Sequence, residues 1–186
     1  MLLHEAPSLR VDVVSWSPRG DWVAMSQFAA PQDWATWDGV GEMWLLRPQG
    51  DERISLGPTV ATLVAWHATA PQWSRTGDRL AYLAGSQVLT DEGSAFDASL
   101  MIWEEKTGEV RTLLPRSGQT LRALSWAPDD VALLYLATPL RAGGEFAVSR
   151  LSFATVQAHE VVPARGLPIR LGTHSTVLWL TSEEVQ

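Results

Sequence analysis

Three stretches of this chain hold side chains able to do chemistry. The segment "DWATWD" sets Asp33, Trp34, Trp37 and Asp38 within one short loop. Indoles on a loop can anchor a partner protein or stack on a sugar ring, and flanking carboxylates give such a place a negative field. The competing reading is that both indoles fold back and seal packing beneath them. The segment "TDEGSAFD" holds Asp91, Glu92 and Asp97. Carboxylates on one loop can ligate Ca²⁺, which is bound by oxygen atoms. Their spacing matches no calcium loop, so they read as solvated charge, and no metal is expected. The third stretch is the adjacent pair Trp66 and His67, where a lone histidine reads as an ordinary polar surface group.

No set of residues spells a reaction. His4, His67, His159 and His174 are scattered with no pair at helical i, i+4 spacing, and "HEVVP" lacks the second histidine of a zinc-protease motif. A serine nucleophile in a G-x-S-x-G elbow is missing, as are a P-loop and a G-x-G-x-x-G turn. The chain is therefore read as non-enzymatic, with no catalytic residue and no cofactor.

These residues are placed by a repeated phrase. "SWSPRGDWVAM" at 15–25 returns as "QWSRTGDRLAY" at 72–82 and as "SWAPDDVALLY" at 125–135. Aligned on Trp16, Trp73 and Trp126, the copies lie 73 − 16 = 57 and 126 − 73 = 53 residues apart. A weaker copy, "LGTHSTVLWL", puts Leu171 in the tryptophan slot. Periods of this size mark propeller blades or helical arrays. The local pattern chooses between them. Short runs rich in β-branched and aromatic residues flank a Pro-x-Gly-Asp turn, which is a strand–turn–strand unit. Gly20 and Gly77 share the slot where the turn wants positive φ. No segment keeps the i, i+3, i+4 apolar pattern of a helix. Each phrase is followed by a second hairpin, at 41–56, 100–114 and 147–162. One unit is thus four strands, named A to D. The fold class expected is all-β, a β-propeller of four-stranded antiparallel blades, about three and a half to four of them in a partial or assembled ring. A β-sandwich with accidental similarity is the alternative.

"WSPRGDWVAM" and "WSRTGDRLAY" resemble the W-S-P-D-G-x-x-I-A-F phrase of TolB-like propellers, also called WD40-like or PD40 repeats, and "MWLLRPQGDERISL" resembles the second half of that repeat. The resemblance runs over nearly the whole chain. It departs at Arg75, which replaces the proline, and at Asp130, which replaces the glycine. It implies a propeller and is nearly silent on function, beyond suggesting an exported or periplasmic protein. The start "MLLHEAPSLR" lacks a basic segment followed by an apolar core, so no signal peptide is read there.

The whole of 1–186 is read as one propeller region, with blades at about 9–57, 58–115 and 116–163, a partial blade at 164–186, and residues 1–8 as a closing strand. Rings close with about four to eight blades. Three routes to a closed ring stay open: a fragment of a longer chain, a homodimer that completes the ring, or a small four-bladed ring. Trp16, Trp73 and Trp126, with Gly20 and Gly77, are read as structural anchors, because a residue found once per blade serves the blade. Tyr82 and Tyr135 share a slot and the same reading.

In an up-and-down blade the A–B and C–D turns share one face of the disc. Here those turns are tight. The B–C loops at 27–40, 84–99 and 138–147 and the crossover at 56–72 are long, and they share the other face. Surplus loop length on a rigid scaffold is where binding residues are usually carried. The face expected to bind holds Asp33, Trp34, Trp37, Asp38, Trp66, His67, Asp91, Glu92 and Asp97. A protein or peptide is the expected partner. The alternatives are the gating propeller of a prolyl-oligopeptidase-like serine peptidase and a carbohydrate-binding propeller.

Composition fits this class. With 186 residues, 46% hydrophobic, 19% charged and ten tryptophans, the chain can build a core. Its net charge of −7 speaks against nucleic acid and against an anionic membrane surface. No apolar run is long enough to span a bilayer. The lack of cysteine removes disulfides and thiolate metal sites.

Overall fold

A computed structural model describes residues 9–29, 40–60, 70–90, 93–139, 149–156 and 167–169. They form three four-stranded antiparallel sheets. The first sheet runs β1 (Leu9–Trp16), β2 (Val23–Ala29), β3 (Val40–Leu46) and β4 (Arg53–Val60) in sequence order. The second runs β5 (Gln72–Trp73), β6 (Arg79–Thr90), β7 (Gly93–Glu104) and β8 (Glu109–Leu114). The third runs β9 (Gln119–Trp126), β10 (Ala132–Pro139), β11 (Ser149–Thr155) and β12 (Leu167–Ile169). Each sheet is an up-and-down meander, the blade of a propeller. Trp16, Trp73 and Trp126 each end the first strand of a blade.

The repeated phrase makes the same turn three times. The amide of Ser17 donates to the Trp22 carbonyl at 2.9 Å, that of Ser74 to Arg79 at 2.9 Å, and that of Ala127 to Ala132 at 2.8 Å. A second bond closes each turn, from Gly20 to Ser17, from Gly77 to Ser74 and from Asp130 to Ala127, each at 2.9 Å. The slot filled by Gly20, Gly77 and Asp130 has φ of 73°, 74° and 58°. Two copies use glycine there because the left-handed region costs it nothing. In the first two copies a serine and an aspartate add a further tie. Ser17 Oγ donates to Asp21 Oδ1 at 2.7 Å, and Ser74 Oγ to Asp78 Oδ1 at 3.0 Å. The third copy has Ala127 and Val131 in those places.

Apolar residues fill the junctions between sheets. Trp22, Ala24, Met43, Leu45 and Leu56 of the first blade pack on Leu80, Tyr82 and Trp103 of the second, with Trp73 against them. The Trp22 and Trp73 rings both meet Trp103 edge to face. Ala81, Leu83 and Ile102 of the second blade pack on Leu121, Leu133 and Tyr135 of the third. Polar bonds cross the same junctions. Tyr82 Oη donates to the Leu56 carbonyl at 2.8 Å, and Thr59 Oγ1 to the Leu83 carbonyl at 2.7 Å. Burial pushes the Tyr82 hydroxyl well above its ordinary range, so it stays a neutral donor. Arg111 donates to the Val156 carbonyl at 2.6 Å from the second blade to the third.

Three expectations change. The segment 84–99 is not a loop. β6 and β7 continue pairing from Gly85 with Ala98 out to Thr90 with Gly93. Ser86, Gln87 and Ser94 look like loop residues, yet backbone pairing does not depend on side-chain polarity, and Val88, Leu89 and Phe96 favour a strand. The hairpin expected at 147–162 supplies β11 alone. Its partner is β12, beyond residue 163, so the third sheet takes its fourth strand from the stretch read as the next blade. β12 contains Pro168, which lacks an N–H and is tolerated on an outer strand. Lastly, Trp16 is 58% exposed, so the core reading fails for it. Trp73 and Trp126 are half-buried because each packs on a blade ahead of it, and the described residues hold no blade ahead of the first. The weak copy at Leu171 and the closing strand at 1–8 lie outside the described residues.

Candidate functional site

The two ends of the blades differ in what they carry. At one end lie the A–B turns at 17–22, 74–79 and 127–132 and the C–D turns at 47–52 and 105–108. These are short and tied across the blades. Glu105, from the second blade, is a hub. It accepts from the Trp22 indole at 2.9 Å and pairs with Arg19 and, at 3.8 Å, with Arg47, all from the first blade. The Arg47 guanidinium lies 4.1 Å over the Trp22 ring. The hydrogen bond to Glu105 holds the Arg19 guanidinium above its ordinary range against the opposing effect of burial. Side chains used up in this way are not free to take a ligand.

The second junction on this face is locked by the two residues that depart from the repeat. Asp130 is only 2% exposed. Its carboxylate accepts from the Arg75 amide at 2.7 Å, the Thr76 amide at 3.0 Å and Thr76 Oγ1 at 2.9 Å. Asp130 thus caps the turn of the preceding blade. The proline that the repeat wants at 75 would have no amide to offer. The first junction has no such cap, because Gly77 fills the slot and packs against Pro18 and Arg19. A sequence reading can find this pair only by asking why two departures occur together.

The opposite end carries the long connections. Residues 30–39 join β2 to β3, 61–71 join β4 to β5, and 140–148 join β10 to β11. The β6–β7 hairpin ends at the same side. Of the nine residues expected to bind, Asp33, Trp34, Trp37, Asp38, Trp66, His67, Asp91 and Glu92 lie outside the described residues. Asp97 is described. It sits on β7 opposite Ser86, at the root of the hairpin, with Oδ1 buried and without a hydrogen-bond partner among the described residues. It lies four residue steps from Gly93, about 13 Å of strand. It therefore lies away from the far end of the hairpin. Among the described residues no group of three or more acidic or histidine side chains is placed to hold a metal.

Gly85 fixes where the hairpin leaves the blade. A Cβ there would run into the Asp97 carbonyl oxygen and lie 2.7 Å from Ala98 Cα. The two strands can approach this closely only with glycine at 85.

No family model matches the chain, and no curated protein matches it. Solved structures do. The chain is similar to an acylaminoacyl peptidase of Pyrococcus horikoshii, at 13% identity over 86% of this chain and 25% of that one, with a TM-score of 0.57. It is similar to a prolyl endopeptidase at 12% identity over 88% of this chain and 23% of that one, with a TM-score of 0.54. A protein assigned as TolB from Agrobacterium tumefaciens matches at 10% identity over 89% of this chain and 83% of that one, but its TM-score of 0.32 is too low to carry weight. The chain spans about a quarter of the length of the peptidases. At these identities the likeness shows the fold and nothing finer: this is an all-β chain of the propeller type.

Proposed function

We propose that this chain is a propeller scaffold that binds a protein or peptide on the face of its long connections. The supporting observation is the asymmetry between the ends of the blades. One end carries five short turns whose polar groups bind each other across junctions. The other holds the connections at 30–39, 61–71 and 140–148 and the projecting hairpin, whereas a single long connection, 156–166 between β11 and β12, falls on the tight-turn end. The sequence puts Asp33, Asp38, Asp91 and Glu92 in those connections, on a chain of net charge −7. Such a field favours a basic partner, mainly by speeding encounter. Trp34 and Trp37 supply the aromatic anchors.

Peptide display on the purified chain tests this. A counter-selection uses a variant in which residues 86–97 are replaced by Asn-Gly, a two-residue turn that keeps the Gly85–Ala98 pair. Basic peptides that bind the full chain, weaken as salt rises and lose binding when Trp34 and Trp37 become alanine are expected. No enriched peptide, or peptides indifferent to both changes, would reject the reading.

A second reading has its own support. The two peptide-hydrolysing neighbours match this chain over about a quarter of their length. On that reading the chain is the propeller part of a larger peptidase, and the long-connection face meets a catalytic domain. The parent gene decides it. A downstream serine hydrolase domain establishes the reading, and its absence removes it.

A further inference from the structure

We infer that residues 1–8, which lie outside the described residues, seat on the outward face of the first blade as the outer strand of a preceding blade would. That face looks away from the second blade. Val11 pairs with Gln27, Val14 with Met25 and Trp16 with Val23, and residues directly opposite share a face. Met25 pairs in turn with Trp44, and Val23 with Leu46. Ala24, on the other side of β2, packs into the junction with the second blade. The outward face is covered unevenly. Val23 at 5%, Met25 at 4%, Gln27 at 4% and Leu46 at 7% are buried, while Val11, Val14 and Trp16 of β1 are exposed at 47%, 56% and 58%. A side chain on a sheet face leaves water when another layer lies over it. Yet the apolar cluster of Val23, Met25 and Leu46, with Trp44 against it, draws only on the first blade among the described residues. So the cover comes from elsewhere in this chain, lies over β2 and β3, and stops short of β1.

The two formed junctions show which strand covers in this way. Leu56 of β4 packs with Leu80, Tyr82 and Trp103 of the second blade, and its carbonyl accepts from Tyr82 Oη at 2.8 Å. Leu113 of β8 packs with Leu133 and Tyr135 of the third blade. In each case the outer strand of one blade lies over the second strand of the next. In each case it is also the strand that leads directly into that blade's first strand. The segment that leads directly into β1 is 1–8. The anchor indoles are met by a different strand. Trp73 Nε1 donates to the Ser15 carbonyl of β1 at 3.1 Å, and Trp126 Nε1 to the Gln72 carbonyl of β5 at 2.9 Å. An outer strand alone therefore covers β2 and β3 and leaves Trp16 open. A first strand set there, such as the one read in the weak copy at Leu171, would bury Trp16. The register agrees. Leu3 stands 16 − 3 = 13 residues before its anchor, as Leu113 stands 126 − 113 = 13 before Trp126. Met25 stands 25 − 16 = 9 after its anchor, as Tyr135 stands 135 − 126 = 9 after Trp126. Leu3 over Met25 thus repeats Leu113 over Tyr135. The face also holds two buried donors with no acceptor among the described residues, Gln27 Nε2 and Trp44 Nε1. Gln27 Oε1 takes the Arg53 guanidinium at 3.4 Å, which settles which amide atom is the donor. A strand laid there brings backbone carbonyls, the acceptors that such donors need.

Disulfide trapping tests this, because the chain has no cysteine of its own. Leu3→Cys is combined with Met25→Cys on the covered face, or with Val14→Cys on the open stripe, and each chain is oxidised mildly at micromolar concentration. A disulfide needs Cα atoms about 4.4–6.8 Å apart. The Met25→Cys pair is expected to close within one chain roughly tenfold or more faster than the Val14→Cys pair, the ratio of their effective concentrations. Equal rates, or disulfides only between chains, overturn the proposal. A second measurement needs no cysteine. Leu2→Asp with Leu3→Asp leaves the described blades untouched and is expected to uncover Met25. Its oxidation by dilute peroxide, read by peptide mass spectrometry, should rise severalfold, while Met43 in the formed junction stays protected. Unchanged oxidation of Met25 overturns the proposal. So does a Met25 that is uncovered by removing 170–186 and not by the two aspartates.

Discussion

Arg75 and Asp130 show how two apparent faults in a repeat become one device. Glycine at 130 would relax the backbone, which holds φ of 58°. The aspartate accepts that strain because its carboxylate takes two amides and a hydroxyl of the preceding turn. Asp130→Gly alone should cost about 1–3 kcal/mol in urea unfolding, since two part-buried amides lose a charged acceptor. Arg75→Pro alone removes one of those amides and should also destabilise. Combined with Asp130→Gly, the proline should cost little, because the first blade already carries Pro18 in a turn capped by neither partner. A coupling energy of about 1 kcal/mol or more is expected from the double-mutant cycle. Strict additivity would show that the two residues do not act together. The sequence displays both departures, but nothing in it says that position 75 of one blade touches position 130 of the next. That knowledge needs the ring-wise stacking of blades.

The turn and the strand pair were read with unequal success, for physical reasons. Turns made by Gly20 and Gly77 are local, so their chemistry is written in a few adjacent residues, and the structure shows them where expected. The β6–β7 extension depends on pairing across a hairpin, and its polar residues hid it. β12 depends on a partner met after a gap of eleven residues, from 156 to 166, so no local signal marks it. Of the nine candidate site residues, eight lie outside the described residues, and the one described member, Asp97, lies on a strand.

The turns also carry a pH response. Burial works to raise the carboxyls of Asp21 and Asp78. The hydroxyl bonds from Ser17 to Asp21 and from Thr76 and Ser74 to Asp78, with Arg19 and Arg79 nearby, outweigh it. Both groups sit below their ordinary value of 3.8. A carboxyl lowered in the folded state binds protons less readily than in the unfolded chain. Its stabilisation is therefore full above about 3.8 and is lost as pH falls through the lower folded value. Stability should fall with acid below that point. A chain with Asp21→Asn and Asp78→Asn should show a shallower acid limb in the melting temperature. An unchanged slope would mean that these turns do not couple to protons.

As a whole, the molecule is a stack of sheets whose junctions differ in completeness. Two are filled with apolar residues and crossed by indole-to-carbonyl bonds. The face of β1 carries the same indole and an exposed apolar stripe. The tight-turn end spends its charged groups on these junctions, and the proposed function puts ligands at the other end. That division of labour has a direct measurement: hydrogen–deuterium exchange on the chain with and without a peptide recovered by display. Protection on binding should concentrate at 30–39, 61–69, 85–98 and 140–148, and spare 17–22, 47–52, 74–79 and 127–132. Protection centred on the tight turns would place the binding face at the opposite end of the blades and contradict the proposal.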